Sequence, residues 1–192
     1  AALRRRGGAL VVRNACAVEA IPRLAVELGV DAVFANRDYE PAAKRRDEAV
    51  AQMLAERGIA FEAFKDQALL DGAEVLARSG KPLTVFTPYR NAWLKRFDEA
   101  DYAPHVLVSG RLAVPPVDGG VPALAEIGFE PAGLAETGVH PGMSGAASCF
   151  DDFRRRLADY AKDRDYPDRA GGSGLSPHLR FGTISPRRLA DF

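Results

Sequence analysis

Three short apolar runs separated by two stretches of helical periodicity constrain this chain more than any other feature it has. Ala9-Leu10-Val11-Val12, Ala32-Val33-Phe34-Ala35 and Ile59 to Phe64 are runs of the kind that form buried parallel strands. Between them, Val18, Ile21, Leu24, Ala25 and Leu28 recur at helical spacing up to Gly29, and Val50, Met53 and Leu54 mark the apolar side of a charged helix ending at Gly58. A glycine just past the last periodic residue is a C-terminal cap. Strand, helix, strand, helix, strand in this order predicts an α/β domain with a Rossmann-like parallel sheet and right-handed crossovers. Ligands of such sheets lie beyond the carboxyl ends of the strands, and Asn36 to Glu40 emerges at such an end.

Further along, residues 81 to 86 read as extended, and Thr87-Pro88 as N-cap and first residue of a helix over Tyr89 to Phe97. Residues 104–146 are rich in Pro, Gly and Ala and read as an interdomain connector. Helical periodicity returns at Ala146, with Phe150, Phe153, Leu157, Tyr160 and Ala161 on one face and charged residues on the other. The expected organisation is therefore an α/β domain over 1–103, truncated at its N-terminus, a connector over 104–146, and the start of a helical domain over 147–192, truncated at its C-terminus. No internal repeat is evident. The opening Arg4-Arg5-Arg6-Gly7-Gly8 reads as the last turn and cap of a helix already under way, and Phe192 falls inside a helical pattern, so both ends read as cut.

Composition removes several function classes. Twenty-six basic and 26 acidic residues cancel, so no whole-chain charge marks a nucleic-acid binder, and any DNA contact must be local. Cys16 and Cys149 form no CxxC pair, and His105, His140 and His178 stand at no metal-ligand spacing, which argues against a metal site. No apolar run approaches the roughly 20 residues that cross a bilayer. The expectation is a cytoplasmic protein without membrane partners.

The most specific stretch is Gly171-Gly172-Ser173-Gly174-Leu175-Ser176-Pro177-His178-Leu179-Arg180-Phe181-Gly182-Thr183-Ile184-Ser185-Pro186. Glycines let backbone N–H groups approach an anion, Ser173 and Ser176 add hydroxyls, and Pro177 suits the first turn of a helix; together they could cradle a diphosphate. Taken alone, such a loop is more often only a turn and a cap. The order of residues adds more. Leu175 to Ser185, preceded by Tyr160 and Arg164-Asp165-Tyr166-Pro167, resembles the start of the flavin-binding domain of the cryptochrome/photolyase family. Asn36-Arg37-Asp38-Tyr39-Glu40-Pro41 with Arg46-Asp47, then Phe64-Lys65-Asp66, then Val85-Phe86-Thr87-Pro88-Tyr89 with Trp93-Leu94, resemble its N-terminal domain in order and spacing.

This resemblance, to an interior piece of a bacterial class I cyclobutane pyrimidine dimer photolyase, implies several things. The tyrosine matching Tyr160 and the loop matching Gly172, Ser173, Gly174, Leu175 and Ser176 contact FAD in the family, the loop holding its phosphates. The arginine matching Arg164 contacts the DNA backbone. Many members have threonine where this chain has Gly172. A second, light-harvesting chromophore often sits in the N-terminal domain; Ala42-Ala43 replaces the Asn-Glu of folate-binding members, which argues against folate and leaves a deazaflavin, another flavin, or no second chromophore. Local ion pairs among Arg37, Glu40 and Arg45 are the plainer reading of that loop, as a surface pair with Asp165 or Asp168 is for Arg164 and a packed core tyrosine is for Tyr160. No catalytic residue is expected here. Trp93 reads as core packing and His178 as a packing or capping residue. The implied activity is light-driven repair of cyclobutane pyrimidine dimers by electron transfer from reduced FAD, in a complete protein that is a monomer and binds dimer-containing DNA. A cryptochrome-like photoreceptor without repair activity is the alternative. A nucleotide-binding α/β module, such as an electron-transfer flavoprotein subunit, would leave the Leu175 to Gly182 run unexplained.

Overall fold

The computed structural model describes residues 2–103, 112–115, 120–130 and 133–192. Of the expected connector, residues 104–111, 116–119 and 131–132, with Pro104, His105, Pro116 and Pro131 among them, lie outside the described residues. The chain forms two compact units, one comprising Ala1–Gln67 with His105–Pro131 and the other Ala68–Pro104 with Ala132–Phe192. The second takes in residues 68–103, which the sequence assigned to the α/β domain.

In the first unit, a short helix α1 (Ala2–Arg5) closes on Gly7, whose φ of 80° only glycine adopts cheaply. Helix α2 (Ala17–Leu28) ends at Gly29 in the left-handed region (φ 62°), with the glycine N–H returning to Val26. Strand β1 (Ala32–Asn36), helix α3 (Pro41–Ala55) and strand β2 (Ala60–Phe64) follow, with Gly58 (φ 69°) turning the chain between the last two. The strands pair in parallel, Val33 opposite Phe61 and Ala35 opposite Ala63. Ala25, Val50, Leu54 and Ile59 are buried together, with Val18, Val30, Val33 and Phe61 packed around them. Alternation along the strands sends the other side chains to the opposite face. There Phe34 and Phe64 are 65% and 51% exposed, their rings 6.0 Å apart.

The strand expected at residues 9–12 is not formed; the sheet of the described residues has two strands. Apolar, β-branched composition supplies the propensity for a strand, but a strand exists only through a neighbour's backbone hydrogen bonds, and among the described residues β1 pairs with β2 alone.

In the second unit, Leu76 and Pro82 form an isolated antiparallel bridge. Helix α4 (Phe86–Arg96) begins two residues earlier than expected, so Val85 is its N-cap and Thr87 and Pro88 lie in its first turn, where a missing N–H costs nothing. Trp93 stacks on Phe97 at 4.5 Å, and Phe97 meets Tyr102 of helix α5 (Glu99–Tyr102). Helix α6 (Gly142–Arg156) starts ahead of the expected boundary at 147 and gives way at Leu157–Asp159 to a 3-10 turn before helix α7 (Tyr160–Asp163). Helices α8 (Ser176–Arg180) and α9 (Pro186–Ala190) complete the unit. Ala146, Phe150, Leu175 and Ile184 form its core, with Cys149 and Leu189 against it.

The chain also carries a repeat that the sequence analysis missed. Leu124-Ala125-Glu126-Ile127-Gly128-Phe129-Glu130-Pro131 recurs as Leu134-Ala135-Glu136-Thr137-Gly138-Val139-His140-Pro141. Both copies fold alike, as a 3-10 turn (Leu124–Ile127 and Leu134–Thr137) closed by a left-handed glycine, Gly128 at φ 83° and Gly138 at φ 71°.

Candidate functional site

The glycine-rich loop is placed by what surrounds it. Gly171 is buried, and a Cβ there would lie 2.5 Å from the Asp163 carbonyl oxygen and 2.6 Å from the Arg164 nitrogen, so only glycine permits the loop to leave the end of α7 this closely. Gly172 is the opposite case, exposed and with nothing within 4 Å of a Cβ. Ser173 Oγ accepts from the Leu175 N–H at 3.4 Å, a local turn. Gly174 takes φ 67°. Leu175 is buried in the core, and Ser176 opens α8 at the surface.

Tyr160, Ser173 and Leu175 converge on an apolar cavity of about 390 Å³, lined also by Phe150, Phe153, Arg154, Leu157, Leu179, Leu189 and Phe192. Gly172, Gly174 and Ser176 belong to the same loop but do not line the cavity. Tyr160 is half-buried and meets Phe153 edge-on at 5.6 Å. Arg154 lies over the Phe192 ring at 4.1 Å. Of these lining residues, Leu189 and Phe192 had no local signal, and for Arg154 the four-residue spacing from Phe150 was the one hint that it leaves the charged face. One expectation needs correcting: α8 is five residues long, so little helix dipole backs the loop, and any anion would be held by loop amides and hydroxyls.

Arg164 is exposed, pairs with Asp165 at 3.3 Å and lies 5.6 Å from the Tyr160 ring centre. The Tyr160 phenol, followed by the Asp165 carboxylate, raises its pKa further above the usual guanidinium range, so it stays a cation at any accessible pH. His178 is buried, with Nδ1 2.9 Å from the Thr183 hydroxyl.

In the first unit, the loop leaving β1 is tied down by Asn36 Nδ2 donating to Asp66 at 3.2 Å and by the Glu40 N–H donating to Asp38 at 3.1 Å. Beside it lies a cavity of about 250 Å³ lined by Arg37, Asp38, Lys44, Asp47, Glu48, Ala51, Phe61 and Ala63. Among the described residues no cluster of His, Cys, Asp and Glu could hold a metal, and no helix is long and apolar enough to cross a membrane.

Residues 1–106 match the DNA photolyase family. A deoxyribodipyrimidine photo-lyase of Vibrio cholerae is 36% identical over 183 residues, which is 90% of this chain and 37% of that protein. Among solved structures, a bacterial class III photolyase from Agrobacterium tumefaciens superposes with a TM-score of 0.82 at 32% identity, over 96% of this chain and 39% of the other. An archaeal photolyase from Sulfolobus tokodaii, solved with two FAD molecules, gives 0.69 at 28% identity, over 97% and 39%. The chain thus spans less than two fifths of the length of these relatives.

Proposed function

Because this chain belongs to the DNA photolyase family, we propose that its complete protein repairs cyclobutane pyrimidine dimers in DNA by light-driven electron transfer from reduced FAD, and that these 192 residues supply one wall of the flavin site. The reading is supported chiefly by Tyr160, Ser173 and Leu175 meeting at one apolar cavity with the glycine-rich loop at its rim. Apolar walls beside a loop of glycines and serines suit a ligand with aromatic rings and a diphosphate. Gly172, Ser173, Gly174 and Ser176 would hold the phosphates, and Tyr160 and Leu175 would pack the adjoining part of the cofactor. When bound, the reduced flavin supplies the electron; this chain's part is to bind and orient it and to shield it from water.

Arg164, kept charged and exposed beside Asp165, would take a DNA phosphate, releasing the carboxylate. The cavity beyond β1 would take a second, light-harvesting chromophore. Its mixed charges, from Arg37, Lys44, Asp47 and Glu48, suit a deazaflavin or a flavin, and the Sulfolobus structure with two FAD molecules offers a precedent.

The test is made on the complete protein. An oligonucleotide carrying a cyclobutane dimer should be repaired only under light. Arg164→Ala should weaken DNA binding, reduce the slope of log affinity against log salt by about one, and leave flavin content intact. Ser176→Leu should instead lower flavin occupancy. Loss of flavin in Arg164→Ala with DNA affinity unchanged would reverse these roles, and bound flavin without repair would move the protein to the signalling photoreceptors.

A further inference from the structure

Helix α6 presents three polar side chains to the glycine-rich loop from a single stripe: Cys149, Asp152 and Arg156 stand at positions i, i+3 and i+7. Arg156 donates from Nε and Nη2 to the Asp152 carboxylate at 3.0 and 2.7 Å, and from Nη1 to the Ala170 carbonyl. Cys149 Sγ donates to the Ser173 carbonyl at 3.0 Å. Two carbonyls of one loop are thus drawn to one helix. The fit leaves no slack, since Gly171 is packed on Asp163 and a Cβ on Gly174 would lie 3.2 Å from Cys149 Sγ.

A trans peptide unit is planar, so the C=O of one residue and the N–H of the next point in opposite directions. Holding the Ser173 carbonyl on Cys149 therefore turns the Gly174 N–H away from α6, and holding the Ala170 carbonyl on Arg156 does the same to the Gly171 N–H. A glycine-rich stretch without such anchors visits both peptide orientations, because glycine accepts either sign of φ. A loop that binds an anion through amides gains affinity if they already face outward.

We propose that Cys149, Asp152 and Arg156 are positioning residues that fix the carbonyls of the 170–175 loop inward and so aim its amides at a nucleoside diphosphate group. The proposal rests on reading that loop as the flavin-phosphate cradle.

The test is ¹⁵N relaxation on the 192-residue chain, with ADP as the probe. Amide order parameters of Gly172 to Gly174 should be near about 0.85 in the unaltered chain and below about 0.6 in Cys149→Ala and Arg156→Gln. Cys149→Ser, whose hydroxyl donates in the thiol's place, should restore them, while the α6 amides stay rigid in every variant. ADP affinity should fall about three- to tenfold in the two loosened variants and recover in Cys149→Ser, the worth of one net hydrogen bond. If Cys149→Ala unfolds the unit, Arg156→Lys takes its place: it keeps a charge beside Asp152 but lacks the fork that reaches both partners. Unchanged order parameters in Cys149→Ala and Arg156→Gln, or a Cys149→Ser variant as loose as Cys149→Ala, overturn the proposal. A loop that loosens as expected while ADP perturbs no amide refutes the cradle reading and leaves the brace standing.

Discussion

Neighbouring glycines of the loop should respond in opposite ways to the same substitution. At Gly171 an added Cβ meets the backbone of Asp163 and Arg164. That backbone cannot yield cheaply, because the Arg164 N–H is held by the Tyr160 carbonyl at 3.0 Å. Forcing one methyl group into a packed contact costs about 1–3 kcal/mol, and rigid backbone on the far side puts Gly171→Ala near the top of that range. Gly172→Ala meets nothing within 4 Å, and neither glycine has a positive φ. Restricting the unfolded chain should then stabilise Gly172→Ala by about 0.4–1 kcal/mol. In a unit of about 100 residues, 1 kcal/mol moves the melting midpoint roughly 4–8 °C. Gly171→Ala should therefore melt roughly 10–20 °C lower, and Gly172→Ala at or slightly above the original midpoint. Trp93, the only tryptophan, stacks on Phe97 within the same unit, so its fluorescence reports the transition directly. Two variants that melt together would show that the close approach at residue 171 is not what the fold requires.

Gly172→Thr should be accommodated in the same open space and add a hydroxyl donor, raising FAD affinity of the complete protein about two- to tenfold; an equilibrium titration with no gain would remove residue 172 from the phosphate contacts. The Asp152 carboxyl is held below its usual value of 3.8 by its hydrogen bond to Arg156 and by the charges of Arg156 and Arg155. A depressed carboxylate pKa stabilises the fold above the unfolded value and loses that contribution as pH falls through the folded one. The difference in melting midpoint between Asp152→Asn and the unaltered chain should thus be constant from pH 8 to about 5, begin to shrink as pH approaches 3.8, and vanish only below the lowered value of the folded state; a difference that changes near neutrality would contradict it. The exposed Phe34 and Phe64 face should drive self-association of the 192-residue chain, and Phe34→Ser should weaken it at least about tenfold by sedimentation. A chain that sediments as a monomer at every concentration would refute this.

Much of the first unit was legible because its signals are local. Glycines 29 and 58 sit where periodicity stops and adopt the left-handed cap, and β1 and β2 fall on the apolar runs at 32–35 and 59–64. Residues 9–12 carry the same local signal, but pairing depends on what lies alongside, which composition does not encode. The early start of α6 was hidden by Gly142, Ser144 and Gly145, poor helix formers. Gly145 is there because the His140 carbonyl packs where a side chain would be. At the site, Tyr160, Ser173 and Leu175 were found through the order of residues in a known family. Arg154, Leu189 and Phe192 reach the cavity only through tertiary packing, and the Cys149, Asp152 and Arg156 stripe was lost among residues that read as a solvated helix face.

The Arg187 side chain, buried and donating to the Asp101 carbonyl, sets an order of events during synthesis. The two residues are 86 positions apart. At about 5–20 residues per second, the α4 and α5 segment waits about 4–17 s on the ribosome before the arginine that secures it is made, with Trp93, half-buried in the folded unit, uncovered meanwhile. The first unit is also completed late, since residues 105–131 return to it. Emerging chains of this kind should therefore recruit ribosome-associated chaperones over that interval, and slow codons between positions 103 and 187 should lower the yield of soluble protein.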